Sequence, residues 1–245
     1  MAVPPLAVQL YTVREQLAAD RRGTLNALAS FGYRAVECFD ALSDPAALRA
    51  DLDAAGLTVC STHLPALTDH AEAAFRGART LGTDTAIVPI QPPARFTDVD
   101  AVREVARDLN TAAAKAADHG LRLGYHNHAF ELAQLIGGVP ALEVLADHLD
   151  DAVFLEVDTY WAAVGGQDVP ALLRRLGDRV THLHVKDGPI TPDDPMTAVG
   201  AGRMPLAEIL AAQPSVRWHI VELDRCATDM LTAVRESHDW LARHR

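Results

Sequence analysis

Short apolar, β-prone runs alternate with longer segments in which apolar residues recur every three or four positions, and the alternation continues along the whole chain. Eight runs read as strands: residues 6–11, 34–38, 57–61, 85–90, 121–126, 152–158, 180–185 and 218–222. The clearest helical segment is 98–119, where Val102, Val105, Leu109, Ala113 and Ala116 trace one stripe and Arg103, Arg107 and Asp108 lie off it. Such a stripe is expected to pack on a sheet.

The punctuation agrees. Gly32, Gly56, Gly82, Gly120 and Gly177 each close a helical stretch shortly before a strand, as C-capping glycines do. Ser43-Asp44-Pro45, Thr97-Asp98 and Gln167-Asp168-Val169-Pro170 place capping side chains or proline at helix starts. Eight strand–helix units predict an α/β fold, a single (β/α)8 TIM barrel spanning residues 1–245. An open doubly wound sheet would give a similar pattern, but no GxGxxG follows the first strand. A length of 245 residues suits one barrel.

Composition narrows the function. A net charge of −11 opposes nonspecific attraction to phosphate backbones, which depends on clustered Lys and Arg, so nucleic acid is not the expected partner. No run reaches the roughly 20 apolar residues of a membrane span. The opening Met1-Ala2-Val3-Pro4-Pro5-Leu6 lacks the basic and apolar regions of a secretory signal. Cys38, Cys60 and Cys226 are scattered and form no CxxC, which predicts reduced thiols and a cytoplasmic location. A homo-oligomer is compatible with the sequence.

Polar residues with metal-ligand chemistry collect at the ends of the four later strands. These ends read Tyr125-His126-Asn127-His128-Ala129-Phe130-Glu131, Glu156-Val157-Asp158, His182-Leu183-His184-Val185-Lys186-Asp187 and Val221-Glu222-Leu223-Asp224. In a parallel barrel these tips converge on the C-terminal mouth. Carboxylate and imidazole donors suit Mn²⁺, Mg²⁺, Co²⁺ or Zn²⁺. The two-residue period of a strand places Glu156 with Asp158 and His182 with His184, the second of each pair nearer the mouth. Residues 187–203, rich in Pro, Gly and Asp, follow the seventh strand as a predicted lid or substrate-contacting loop.

These motifs, with Val-Gln-Leu-Tyr-Thr-Val-Arg (8–14) and Val-Gly-Ala-Gly-Arg (199–203), resemble the sugar phosphate isomerase/epimerase family, the xylose-isomerase-like TIM barrels. The resemblance runs nearly end to end. It implies one divalent metal, Mn²⁺ foremost, held by a Glu, Asp, His, Glu set, with Asp158, His184 and Glu222 filling the last three places. Strand five has no matching Glu. Glu131 reaching back is the preferred fourth ligand, with His126 or His128 as substitute.

The expected activity is isomerisation, epimerisation or dehydration of a sugar, keto-sugar or cyclitol through a metal-stabilised enediolate. Glu222, Glu131 and His128 are candidate acids and bases, and Lys186 is a candidate acid or ligand for a substrate oxygen. Gln9, Glu37 and His63 are expected to line the substrate pocket, Trp161 and Tyr160 to wall it, and Arg203 to clamp a substrate oxygen or phosphate. The alternatives are a metal-dependent hydrolase related to the abasic-site endonucleases, or a barrel that binds carbohydrate without catalysis.

Overall fold

The computed structural model describes residues 3–244, so Met1 and Ala2 of the opening stretch, and Arg245, lie outside it. Eight parallel strands close a barrel: β1 (Leu6–Gln9), β2 (Ala35–Cys38), β3 (Thr58–His63), β4 (Thr85–Val88), β5 (Arg122–His126), β6 (Val153–Asp158), β7 (Val180–Val185) and β8 (Trp218–Val221). They pair in chain order, and β8 closes on β1 through Leu6 opposite His219. All eight strands fall where the apolar runs predict them, with small shifts at the ends. β1 stops at Gln9 because its side chain accepts from Tyr11 N and Leu10–Val13 coils into a 3-10 turn. β4 stops before Pro89, which has no N–H to donate to the ladder.

The helices follow their predicted caps. Asp44, Asp98 and Asp168 each accept a backbone N–H from the first turn of the helix they open. The helix Pro45–Ala55 ends at Gly56 with φ 71°, a left-handed conformation costly for a side-chain-bearing residue. The amphipathic segment forms the helix Val99–Asp118, and its stripe from Val102 to Ala116 is buried. Each large aliphatic so covered contributes about 1.5–3 kcal/mol. Among the described residues no helix is long and apolar enough to cross a membrane.

Two apolar regions result from the strand alternation. The larger lies between strands and helices, and a small one of Ala7, Ala35, Cys60 and Ile220 packs inside the barrel with Trp218. Two residues further along three of these strands the inward positions turn polar: Gln9 after Ala7, Glu37 after Ala35 and Glu222 after Ile220. That change marks the floor of the C-terminal mouth. Gly124 is required below it, since a Cβ there would sit 2.3 Å from the Phe154 ring. That ring in turn stacks on His182, with centroids 5.0 Å apart.

The irregular segment after β7 is tied down by its first residue. The Asp187 carboxylate accepts backbone N–H groups from Gly188, Gly200, Gly202 and Met204 at 2.8–3.0 Å. The Tyr160 hydroxyl accepts from Ile190 N and Thr191 N. Tyr160 is therefore a buried anchor of this loop rather than a pocket wall.

Candidate active site

Each later strand delivers one buried donor to the mouth: His126 from β5, Asp158 from β6, His184 from β7, and Glu222 just beyond β8. Their ligand atoms lie within 4.8 Å of one another. Asp158 is fixed on two sides. Its Oδ1 accepts from Trp161 N at 2.8 Å, capping the helix Thr159–Val164, and its backbone N–H donates to Asn127 Oδ1 at 3.0 Å.

His184 uses both ring nitrogens. Nδ1 meets Glu222 Oε2 at 2.7 Å and Nε2 meets Glu37 Oε1 at 2.6 Å. Burial alone would disfavour its charge, but Glu156, Glu222 and Glu37 overcome that and hold the imidazole well above its ordinary value. Beneath it, Gln9 Nε2 donates to Glu37 Oε1 at 2.8 Å and Ser61 donates to Glu37 Oε2. Gln9 and Glu37 thus form a fully buried layer under the pocket. They do not line it, because the rings of His63 and His184 lie between.

Glu156 is the residue that the sequence reading placed on the correct face but gave no role. It is fully buried, with His63 Nε2 at 2.8 Å, His126 Nδ1 at 3.1 Å and His184 Nε2 at 3.2 Å from its Oε2. Burial, then the charge on Glu37, pushes its carboxyl up to about 7. The same burial opposes charge on His63, but Glu37 and Glu156 raise that imidazole to about 10.

Lys186 is buried among carboxylates, its Nζ 2.8 Å from Asp158 Oδ2, 2.7 Å from Glu222 Oε2 and 2.8 Å from Asp224 Oδ2. Desolvation works against the ammonium, and these three acids outweigh it. His128 is the contrasting case. Burial, then the Lys186 charge, lowers its imidazole to about 4 and leaves it neutral at neutral pH.

Glu131 does not join the donor set, contrary to the preference stated from sequence. Its Oε1 accepts from the Tyr125 hydroxyl at 2.8 Å and its Oε2 from His128 N at 2.9 Å. Tyr125 belongs to the core outside the barrel, beside Phe96, so the glutamate it binds is drawn away from the mouth. Burial raises the Glu131 carboxyl to about 7. His126, the substitute, is the strand-five residue whose ring lies in the donor cluster. Arg203 is exposed and absent from the pocket lining, because its backbone N–H bonds Gly188 O and carries the residue over the loop surface.

The pocket has a volume of about 300 Å³ and is lined by His63, His126, His128, Lys186, Glu222 and Asp224 on its polar side, with Tyr11, Phe39, Pro89 and Trp161 completing it. A larger cavity of about 630 Å³ lies at the opposite end of the strands, around Arg122, Phe154 and Thr181. It holds no comparable donor set.

A divalent ion fits His126, Asp158, His184 and Glu222. The donors are nitrogen and oxygen only, and Asp158 Oδ2, 3.9 Å from His126 Nε2, is buried without a well-aligned hydrogen bond. Glu37 on His184 Nε2 supplies the carboxylate support usual behind a ligating imidazole.

A closed eight-stranded parallel barrel with donors gathered at its C-terminal mouth is a TIM barrel with its polar residues on the face where that fold carries its sites. Residues 25–244 match the family described as xylose isomerase-like TIM barrel, and the chain belongs to that family. An inosose dehydratase of Clostridium perfringens is 31% identical over 85 residues, 35% of this chain and 28% of that protein. The inosose dehydratase of Geobacillus kaustophilus is 29% identical over 189 residues, 66% of this chain and 60% of that one. The chain thus spans less than two thirds of the length of either relative. A sugar phosphate isomerase/epimerase from Parabacteroides distasonis superposes with TM-score 0.81 at 26% identity, covering 98% of this chain and 94% of the other.

Proposed function

We propose that the protein is a metal-dependent isomerase, epimerase or dehydratase of a sugar, keto-sugar or cyclitol, acting in the cytoplasm. The observation that carries this reading is the convergence of His126, Asp158, His184 and Glu222 at the floor of a pocket that also presents Lys186 and His128. Family membership and the names of the relatives support it, and the three free cysteines suit a reducing compartment.

A divalent ion, Mn²⁺ foremost with Mg²⁺, Co²⁺ or Zn²⁺ as alternatives, would supply Lewis-acid polarisation of a substrate carbonyl. The chain's own residues supply the rest. Neutral His128 can accept a proton from carbon at a ring nitrogen, and the Lys186 ammonium can donate a hydrogen bond to a substrate oxygen. Glu222, its Oε2 2.7 Å from Lys186 Nζ, is a second candidate base beside His128.

Metal-reconstituted protein incubated with ketoses and inososes in D2O tests the reading. Turnover without added nicotinamide, with deuterium appearing next to the carbonyl, is the expected result. Glu222→Gln should suppress the exchange, with metal content measured in the same sample. Phosphodiester cleavage, or a requirement for NAD, would overturn it.

A further inference from the structure

The cavity of about 630 Å³ at the N-terminal end of the barrel has the composition of a binding site rather than of a packing gap. One wall is apolar. Ala113 and Ala117 come from the helix Val99–Asp118, Leu121 and Val153 from the entries to β5 and β6, and Leu176 from the end of the helix Val169–Leu176. The helix Ala141–Ala146, which lies between those two helices in the chain, has only 6 residues and contributes none of the lining. The outer layer is therefore open here, and aliphatic surface that a longer helix would cover faces the cavity. A concave, mostly apolar space with one convergent polar group is the usual form of a small-molecule site.

The polar group is Arg122, which lines the cavity with its charge largely unanswered. Its Nη2 donates to Thr85 Oγ1 at 3.2 Å, its guanidinium carbon lies 5.2 Å from the centroid of the Phe154 ring, and its Nε is buried without a hydrogen-bond partner. Desolvation, then the neighbouring Arg217 charge, outweighs Asp84 and holds the guanidinium below its ordinary value. A half-buried cation in that state gains from any anion that reaches it. Arg179, the other arginine of the lining, is engaged: Nη1 donates to Asp150 O and Val153 O at 2.9 Å, and Nη2 lies 3.7 Å from Asp151 Oδ1. The acids of the lining, Asp151 and Asp178, are exposed on its rim. One positive charge is left to balance, beside an apolar wall.

We propose that this cavity binds a small amphipathic monocarboxylate, its carboxylate on Arg122 and its apolar body against Ala113, Ala117, Leu121, Val153 and Leu176. A carboxylate matches the planar fork of a guanidinium. A phosphate dianion would bring a second negative charge for which no free cation remains, and would face Asp151 and Asp178. The cavity shares no residue with the donor set at the other end of the strands, so the proposal stands apart from the carbohydrate reading.

Thermal melts and calorimetric titrations of the full chain with 3-phenylpropionate, its uncharged amide, acetate and inorganic phosphate test the proposal. 3-Phenylpropionate should raise Tm saturably and bind roughly tenfold or more tightly than each of the other three. Arg122→Gln, which keeps a donor for Thr85, should remove the preference for acid over amide. Ala117→Leu adds bulk to the apolar wall without touching the charge, and should weaken 3-phenylpropionate by a similar factor. Mn²⁺ affinity, read at the far end of the barrel, should be unchanged in both variants. If Arg122→Gln loses Mn²⁺ binding through misfolding, Ala117→Leu decides the matter alone. No saturable binding of 3-phenylpropionate, equal binding of acid and amide, tighter binding of phosphate, or full affinity in Ala117→Leu would overturn the proposal.

Discussion

Asn127 grips the backbone of Asp158 from both sides, accepting from its N–H at 3.0 Å and donating to its carbonyl at 3.4 Å. The asparagine at the end of β5 thereby sets the height at which the β6 carboxylate enters the mouth. Asn127→Ala should weaken metal binding by roughly 10–100-fold, as loss of a supporting partner does. Titration with Mn²⁺ is the check, and unchanged affinity would show that the helix cap alone positions Asp158.

The donor set separates Asp158 and His126, at the ends of β6 and β5, from Glu131 in the helix Phe130–Ala133 that follows β5. Asp158→Ala and His126→Ala should each abolish stoichiometric metal by elemental analysis, with the barrel still folded by circular dichroism. Glu131→Gln should retain the metal. It should instead lower stability by about 1–3 kcal/mol, since Tyr125 and His128 N lose a carboxylate partner.

Acid should weaken the fold through His182. Burial holds its imidazole down to about 3, whereas in the unfolded chain it titrates near its ordinary 6.5. On acidification the unfolded chain takes up this proton first. The stability linked to His182 is therefore complete above pH about 6.5 and is lost progressively towards pH about 3, at about 1.4 kcal/mol per unit. Denaturant melts across this range should show the loss, and His182→Phe, which keeps a ring against Phe154, should lessen its slope, the remainder including the contribution of His128.

The loop after β7 depends on one carboxylate. Asp187→Asn leaves a single acceptor oxygen for four backbone N–H groups. Limited proteolysis should then cut within 188–204 well before the rest of the chain. Resistance equal to that of the unsubstituted protein would mean that Tyr160 suffices as the anchor.

Strand positions, the caps at Asp44, Asp98 and Asp168, and the convergence of Asp158, His184 and Glu222 were legible because each follows from a local rule of period, capping or strand direction. Reach along the chain favours Glu131, but side decides against it, since its partner Tyr125 faces the core outside the barrel. The same two-residue alternation that pairs Glu156 with Asp158 sends Tyr125 outward and His126 inward, and applying it to β5 would have selected His126. Glu156 was placed on the right face, yet its meeting with His63 spans 93 residues and depends on barrel closure. No sequence pattern marks Tyr11 and Phe39, whose rings meet only through the packing of the segments after β1 and β2.

Glu37 on β2 and His184 on β7 join opposite sides of the barrel at 2.6 Å, in a layer where apolar side chains would otherwise cohere. Replacing a buried charged network with well-fitted aliphatic residues is often neutral or stabilising by about 1–4 kcal/mol. A thermostabilising redesign guided by stability alone would accordingly converge on Gln9, Glu37, Glu156 and His184, and would yield a heat-resistant but inert barrel. Heat tolerance is better sought on the outer helices and at the N-terminal end, where cohesion and activity do not compete for the same positions.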